Sequence, residues 1–106
     1  MKPFDIFIAY LSWGPDGKSR PVLAFIIDDN SVDIYQITTQ YENKSEAIQA
    51  QYFKIDDWEQ AGLNRQSYID TGTLITLSKS VFKNKEPTGK LTESDKEKLL
   101  YFLKSG

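Results

Sequence analysis

An uninterrupted apolar run over residues 21–27 (PVLAFII) constrains the fold of this chain more than any other segment. A short apolar run bounded by polar turns is typical of a strand that is buried on both faces. Residues 28–31 (DDNS) predict a turn, and residues 32–39 then alternate apolar and polar side chains, as a half-buried strand does. The two segments therefore predict a hairpin inside a β-sheet.

Four further short segments have the composition of β-strands. They are residues 5–11, 51–55, 67–69 and 73–77. The last two flank a predicted turn at 70–72, and the polar, turn-rich residues 12–19 and 41–45 predict loops. Five or six short strands in a chain of 106 residues favour a single domain that forms a small β-barrel.

Two helical segments complete the predicted fold. Residues 56–62 start with aspartates and end with glycine, as a single capped helical turn does. Thr92 is placed to cap a final helix over residues 93–104, and Asp95 follows three positions later in the manner of a capping box. The core-facing side of that helix would consist of Leu99, Phe102 and Leu103.

The composition limits the chemistry that this chain can perform. It has no cysteine and no histidine, which excludes disulfides, thiolate or serine–histidine catalysis, and zinc sites built from these residues. An enzyme would have to move protons with Asp, Glu, Lys or Tyr, helped by Ser, Thr and Arg. The acidic groups at 28–33 and 56–59 match no calcium loop, so no metal site is predicted. No apolar run can span a membrane and no signal peptide is evident, so we expect a soluble cytoplasmic protein.

Arg20 stands where a turn-rich segment meets the apolar run, directly before a proline. As a surface charge it would be solvated or paired with Asp16 or Asp28, and would contribute little. Alternatively, its planar and permanently charged guanidinium suits the binding of a phosphate. Thr38 and Thr39, at the end of the next strand, would then supply hydroxyls for a phosphate oxygen or a ribose.

Two groups of residues offer contacts to nucleic acid, and each has a plain structural alternative. The lysine-rich segment 78–90 is either a solvated turn or a patch that attracts a phosphate backbone, although the whole chain has a formal net charge of -2. Several aromatic residues have faces on which bases can stack, whereas most aromatic residues of a small barrel belong to its core. They are Trp13, Trp58, Tyr10, Tyr41 and Tyr68. Trp13 differs from the others because it lies in the predicted loop near Arg20.

Taken in order, these segments resemble the MazF/PemK family of toxin–antitoxin toxins. The resemblance is carried by DIFIAYL, SRPVLAFIIDD, IYQITTQ, SYIDTGTLITLSKS and GKLTESDKEKLLYFL, which together run from residue 4 to about residue 103. It implies an SH3-like β-barrel with a C-terminal helix that forms a homodimer. It also implies a metal-independent endoribonuclease without a cofactor, which cleaves single-stranded RNA through attack by the 2′-hydroxyl. A cognate antitoxin protein would neutralise this activity.

The resemblance also implies roles for individual residues. The family's catalytic arginine precedes the proline of the second strand, which is Arg20 here, and its catalytic threonine corresponds to Thr38. No general base is identified, because Asp70 is the nearest acid in its segment and Gly72 stands at the matching position. The family's usual glycine before the first strand is Phe4 in this chain. Further substrate contacts are expected from Trp13, Lys18, Ser19, Thr39, Gln40 and Asp70.

The residues leave two other functions open. A barrel of this kind can bind single-stranded RNA or an antitoxin-like peptide in the same groove without cutting anything. A structurally similar group of toxins acts on DNA gyrase instead, but the pairing of Arg20 with Thr38 argues against that target.

Overall fold

The computed structural model describes residues 1–13 and 15–105, and of Trp13 only the backbone. Six antiparallel strands form one sheet in the order β4-β5-β3-β2-β1-β6, which curls into half a barrel. The strands are β1 (Asp5–Trp13), β2 (Asp16–Ile27), β3 (Ser31–Thr38), β4 (Tyr52–Lys54), β5 (Tyr68–Ser78) and β6 (Gly89–Lys90). The helices are α1 (Glu46–Gln49), a 3-10 helix (Lys79–Phe82) and α2 (Glu93–Ser105). The mainly β class and the C-terminal helix are therefore confirmed, whereas α1 was not predicted.

The predicted central hairpin is confirmed as β2 and β3. Their pairing runs from Val22 opposite Gln36 to Ile27 opposite Val32. Burial on both faces holds for the middle of the apolar run, where residues 22–24 are fully buried. It fails at the end of the run, where the side chain of Ile26 is 43% exposed.

Each face of the sheet carries its own apolar cluster, because successive side chains of a strand point to opposite faces. The first cluster packs under α2 and includes Ile6, Leu23, Ile37, Ile69 and Leu99. The second is covered by the 3-10 helix and includes Phe7, Ala9, Leu11, Val22, Ala24, Ile34 and Phe82. We call these faces the helix face and the open face.

The loop predicted over residues 12–19 is wrong, because β1 and β2 continue through most of it as a long hairpin. Their pairing extends to Trp13 opposite Asp16. The side chain of Tyr10 lies over Gly17 within this hairpin. As a consequence, Arg20 lies inside a paired strand, opposite Ala9, and not at the entrance to one.

The two short strands predicted on either side of residues 70–72 are one continuous strand, β5. The turn-forming residues make a bulge in it: Gln36 pairs with Asp70, but Ile34 pairs with Ile75, three residues further along than a regular ladder allows. The Asp70 carboxylate accepts a hydrogen bond from the Gly72 N–H at 2.9 Å. The turn predicted at residues 70–72 is therefore wrong, because the strand bulges there and continues in the same direction.

The start of α2 confirms one part of the predicted cap and corrects another. The Thr92 hydroxyl accepts a hydrogen bond from the Asp95 N–H at 3.2 Å, as a capping residue does. Asp95 does not complete a capping box, because its fully buried carboxylate accepts hydrogen bonds from the N–H groups of Asp56 and Asp57 at 3.3 and 2.8 Å. Leu99 is buried, and Phe102 and Leu103 pack against the same cluster as predicted.

The helical turn predicted at 56–62 is confirmed, and it ends at Gly62 with a φ of +86°. The Gly62 N–H donates to the Glu59 carbonyl and the Leu63 N–H to the Trp58 carbonyl, which is the hydrogen-bond pattern of a Schellman motif. A Cβ atom on Gly62 would stand 2.6 Å from the Thr88 carbonyl oxygen. This glycine therefore sets the path of the segment that follows it.

We expect Gly62→Ala to destabilise the fold by about 2 kcal/mol, because alanine at a positive φ is strained and its methyl group meets backbone. Thermal unfolding followed by circular dichroism measures the effect. Gln60→Ala, in the exposed part of the same turn, is the control and should unfold as the wild type does. Equal melting temperatures for all three proteins would contradict the role assigned to Gly62.

Candidate functional site

A cavity of about 320 Å³ brings together most of the residues predicted for the site. Six of the eight line it, namely Lys18, Ser19, Arg20, Thr38, Thr39 and Gln40. Pro21, Ile37 and Ser67 complete the lining. We call this space the Arg20 cavity.

The register of the sheet explains why residues so far apart in sequence meet. Val22 on β2 pairs with Gln36 on β3, and the strands run in opposite directions. When the register is continued by two residues, towards the start of β2 and the end of β3, Arg20 stands opposite Thr38. Arg20 is two residues from Val22 on the same strand, so its side chain is on the open face. Thr38, opposite Arg20, is on that face as well.

Arg20 is positioned by its strand. The residue is half-buried, and its Nε atom is buried. A guanidinium that is partly removed from water interacts more strongly with an anion than one that is fully solvated. Because Arg20 sits within a paired strand rather than in a loop, its backbone is already ordered before a ligand binds.

Thr38 is oriented by the backbone that follows it. Its hydroxyl oxygen accepts a hydrogen bond from the Gln40 N–H at 3.0 Å. The Gln40 side chain is held in turn, because its carbonyl oxygen accepts from the Asn43 amide at 3.2 Å. With one lone pair engaged in this way, the Thr38 O–H is set to donate its hydrogen, and a phosphate oxygen is a suitable acceptor.

Asp70 does not line the Arg20 cavity but lies in the adjacent row of the sheet, between Gln36 and Tyr52. Burial raises the pKa of the Tyr52 hydroxyl, the Asp70 carboxylate raises it further, and the Arg20 guanidinium opposes both. The charges of Asp70 and Arg20 thus act on one phenol, which stays protonated near neutral pH. Tyr52 was missed at the level of sequence, because its neighbours are set by pairing to β5.

The aromatic residues proposed to stack bases have divergent surroundings. The rings of Tyr41 and Tyr68 stack on each other at 4.4 Å between centroids, and Tyr68 pairs with Thr38 on the open face. Tyr52 approaches Tyr41 at 6.3 Å. Trp58 packs against the apolar cluster of the helix face, as expected of a core residue, whereas the same expectation is wrong for Tyr10, which is 62% exposed. The side chain of Trp13 lies outside the described residues.

The lysines of segment 78–90 do not line the Arg20 cavity. Lys79 lies at the opposite end of β3 from the site, where its N–H donates to the Asn30 carbonyl at 2.9 Å. Lys85 donates to the Ile8 carbonyl at 3.0 Å, and Lys90 pairs with Asp5 at the edge of the sheet. Lys79 and Lys83 line another cavity together with Met1, so the contribution of this segment to the Arg20 cavity that was considered from the sequence is not observed.

The fold and the cavity define a class of protein: a small curled β-sheet with a C-terminal helix and a cationic cavity where its central strands end. Scanned against models of known protein families, the chain gives no match, and no curated protein matches it. Within the described residues, no helix has the length and apolarity needed to cross a membrane. That same part of the chain holds no group of three or more carboxylates arranged to bind a metal ion.

Proposed function

We propose that the protein is a metal-independent endoribonuclease of the MazF/PemK type, which cleaves single-stranded RNA in the cytoplasm. The observation that carries the proposal is the meeting of Arg20 and Thr38, from two different strands, in one cavity. An SH3-like barrel, a homodimer and a neutralising antitoxin protein belong to the same proposal, as implied by the resemblance.

The chain departs from the MazF/PemK pattern at Phe4. Phe4 stands where the MazF/PemK pattern usually has glycine, and its φ is +74°, in the left-handed region that glycine favours. The residue is held there by a hydrogen bond from its N–H to the Ala24 carbonyl and by edge-on packing of its ring against Phe25 at 5.9 Å. The left-handed backbone is thus present on a phenylalanine, whose side chain is used for packing.

In the proposed reaction the RNA supplies its own nucleophile. The 2′-oxygen forms a bond to phosphorus with its electron pair, and the bond from phosphorus to the 5′-oxygen breaks, which leaves a 2′,3′-cyclic phosphate. Arg20 stabilises the negative charge that develops on the non-bridging oxygens, and the Thr38 hydroxyl donates a hydrogen bond to one of them. These two residues bind and orient the phosphate.

Removal of the 2′-proton is assigned to solvent hydroxide. Arg20 stays charged and accepts no proton, and the residues that line the Arg20 cavity include no carboxylate. The leaving 5′-oxygen takes its proton from water. The cleavage rate is therefore expected to rise with pH.

One observation favours a second candidate function, a barrel that binds single-stranded RNA without cutting it. That observation is the same absence of a proton acceptor among the lining residues of the Arg20 cavity. Binding alone needs only the cations and the hydroxyls.

A cleavage assay in EDTA tests the proposal and separates the two candidates. We expect single-stranded RNA to be cut, with a 2′,3′-cyclic phosphate on the 5′ fragment, and the same sequence as DNA to stay intact because it lacks the nucleophile. The fragments are mapped by sequencing and their ends by mass spectrometry. RNA that binds but is never cut, even with protein in excess, would support the binding barrel instead. RNA that neither binds nor is cut would refute both.

A further inference from the structure

A second cavity, of about 490 Å³, adjoins the Arg20 cavity. The two share three lining residues, Pro21, Thr39 and Ser67, and so adjoin; together we call them the groove. The remaining lining residues of the second cavity are Ile8, Gly62, Leu63, Asn64, Arg65 and Thr88. We call this space the Arg65 cavity.

The segment that carries Arg65 is fixed by its backbone. The Ser67 hydroxyl donates to the Arg65 carbonyl at 2.9 Å, and the Ile55 N–H donates to the Ser67 carbonyl at 3.1 Å. The Gln66 amide donates to the Ile55 carbonyl at 2.8 Å. These bonds tie the segment to β4 and β5, so Arg65 stands at a defined place along the groove although its side chain is exposed.

The charged residues that line the groove are basic, whereas the whole chain has a net negative charge. The chain has 13 basic and 15 acidic residues, yet the residues that line the two cavities include Lys18, Arg20 and Arg65 and no carboxylate. Lys96 pairs with Glu93 and Lys98 with Asp56, and none of these four residues lines the groove. A cleft lined by one sign of charge concentrates ligands of the opposite sign.

The Arg65 cavity also differs in chemistry from its neighbour. Ile8, Pro21 and Leu63 give it apolar walls, and Arg65 and Asn64 supply polar groups next to them. Apolar walls suit the flat face of a nucleobase, and a guanidinium suits its phosphate. The combination fits one nucleotide better than an isolated inorganic anion.

We propose that the Arg65 cavity binds the nucleotide adjoining the cleaved one, with its base against the apolar walls and its phosphate on Arg65. This inference rests on the proposed function and extends it: the substrate is an unpaired strand that occupies both cavities at once. A base held in a duplex is stacked and paired and does not enter such a cavity, so the groove selects single-stranded RNA.

Salt-dependent binding tests the role of Arg65. The probe is a single-stranded RNA of about ten nucleotides whose 2′-hydroxyls are replaced by fluorine, so that it binds without being cut. We expect Arg65→Gln to weaken binding by about five- to tenfold and to reduce the slope of log K against log salt by about 0.7, the value for one phosphate contact on a single strand. Lys79→Gln, at the far end of β3, is the matched control and should leave both quantities unchanged.

The outcomes separate this inference from the proposed function. A wild type that binds the probe, with Arg65→Gln showing the same affinity and slope, would overturn the role of Arg65 and leave the nuclease intact. A wild type that binds neither this probe nor natural RNA would overturn both. An Arg65-dependent affinity for an acidic peptide, with none for the probe, would assign the groove to a protein partner and also overturn the inference. Circular dichroism should show equal folding of all variants, because the bonds of Arg65 to its neighbours use backbone atoms.

Discussion

Arg20→Ala should lower the rate of RNA cleavage by about 10²- to 10³-fold, since removing a preorganised donor from a developing oxyanion costs roughly 3–4 kcal/mol of transition-state stabilisation. Arg20 lines the cavity from a paired strand, and no neighbouring cation among the described residues is placed to replace its guanidinium. Lys18, the other cation that lines the Arg20 cavity, is exposed on the same strand. Single-turnover cleavage with protein in excess measures the effect on the chemical step.

Two further variants make this prediction specific. Arg20→Lys keeps the charge but not the forked geometry, and we expect it to recover only part of the lost rate. Thr38→Val keeps the shape of the side chain and removes one hydrogen-bond donor, so a smaller loss of about tenfold is expected. Thermal melts of all three variants check that the fold is kept. Full activity in a folded Arg20→Ala variant would exclude Arg20 from catalysis.

Asp95→Asn should destabilise the fold by about 3 kcal/mol and lower the melting temperature by about 15 °C. The Asp95 carboxylate is fully buried and accepts two backbone hydrogen bonds at the start of the turn that begins with Asp56 and Asp57. An asparagine in its place has only one side-chain oxygen. Its NH₂ group would therefore face one of the two backbone N–H donors, and that hydrogen bond would be lost. The negative charge also lies near the N-terminus of α2, where the helix dipole stabilises it.

A carboxylate on the same helix provides the control for Asp95. Glu97 is exposed on α2, and Glu97→Gln removes the same charge without touching a buried bond. It should change the free energy of unfolding by less than about 0.5 kcal/mol. If both variants melt alike, the buried bonds of Asp95 contribute nothing beyond its charge.

The central hairpin and the terminal helix followed from the sequence, and each has a local physical cause. The apolar run at 21–27 and the alternation after it are set by burial, which is a property of each residue's own position. Thr92 caps its helix through a bond to a residue three positions away. Arg20 and Thr38 were selected together by resemblance, and the antiparallel register then placed them in one cavity.

The parts that sequence did not predict depend on contacts between distant residues. Residues 12–19 carry every signal of a loop, but pairing to a partner strand overrides that preference, with Tyr10 lying over Gly17. Asp95 has the spacing of a capping box, yet its bonds go to Asp56 and Asp57, 38 or more positions away. Arg65 joins the site only because the turn at Gly62 directs its segment beside β2, and nothing in its own neighbourhood signals this.

The acid-free groove has a consequence for the rest of the surface. Its three cations leave ten basic residues against fifteen acidic ones elsewhere in the chain. The net charge of the rest of the chain is therefore negative, which on average disfavours contact with a polyanion. A nucleic acid that collides with this protein is repelled in most orientations and attracted when it approaches the groove. Encounters at other parts of the surface are therefore short-lived. Under the proposed function, the protein would therefore stay unbound in a cell crowded with RNA until an unpaired strand reaches the groove.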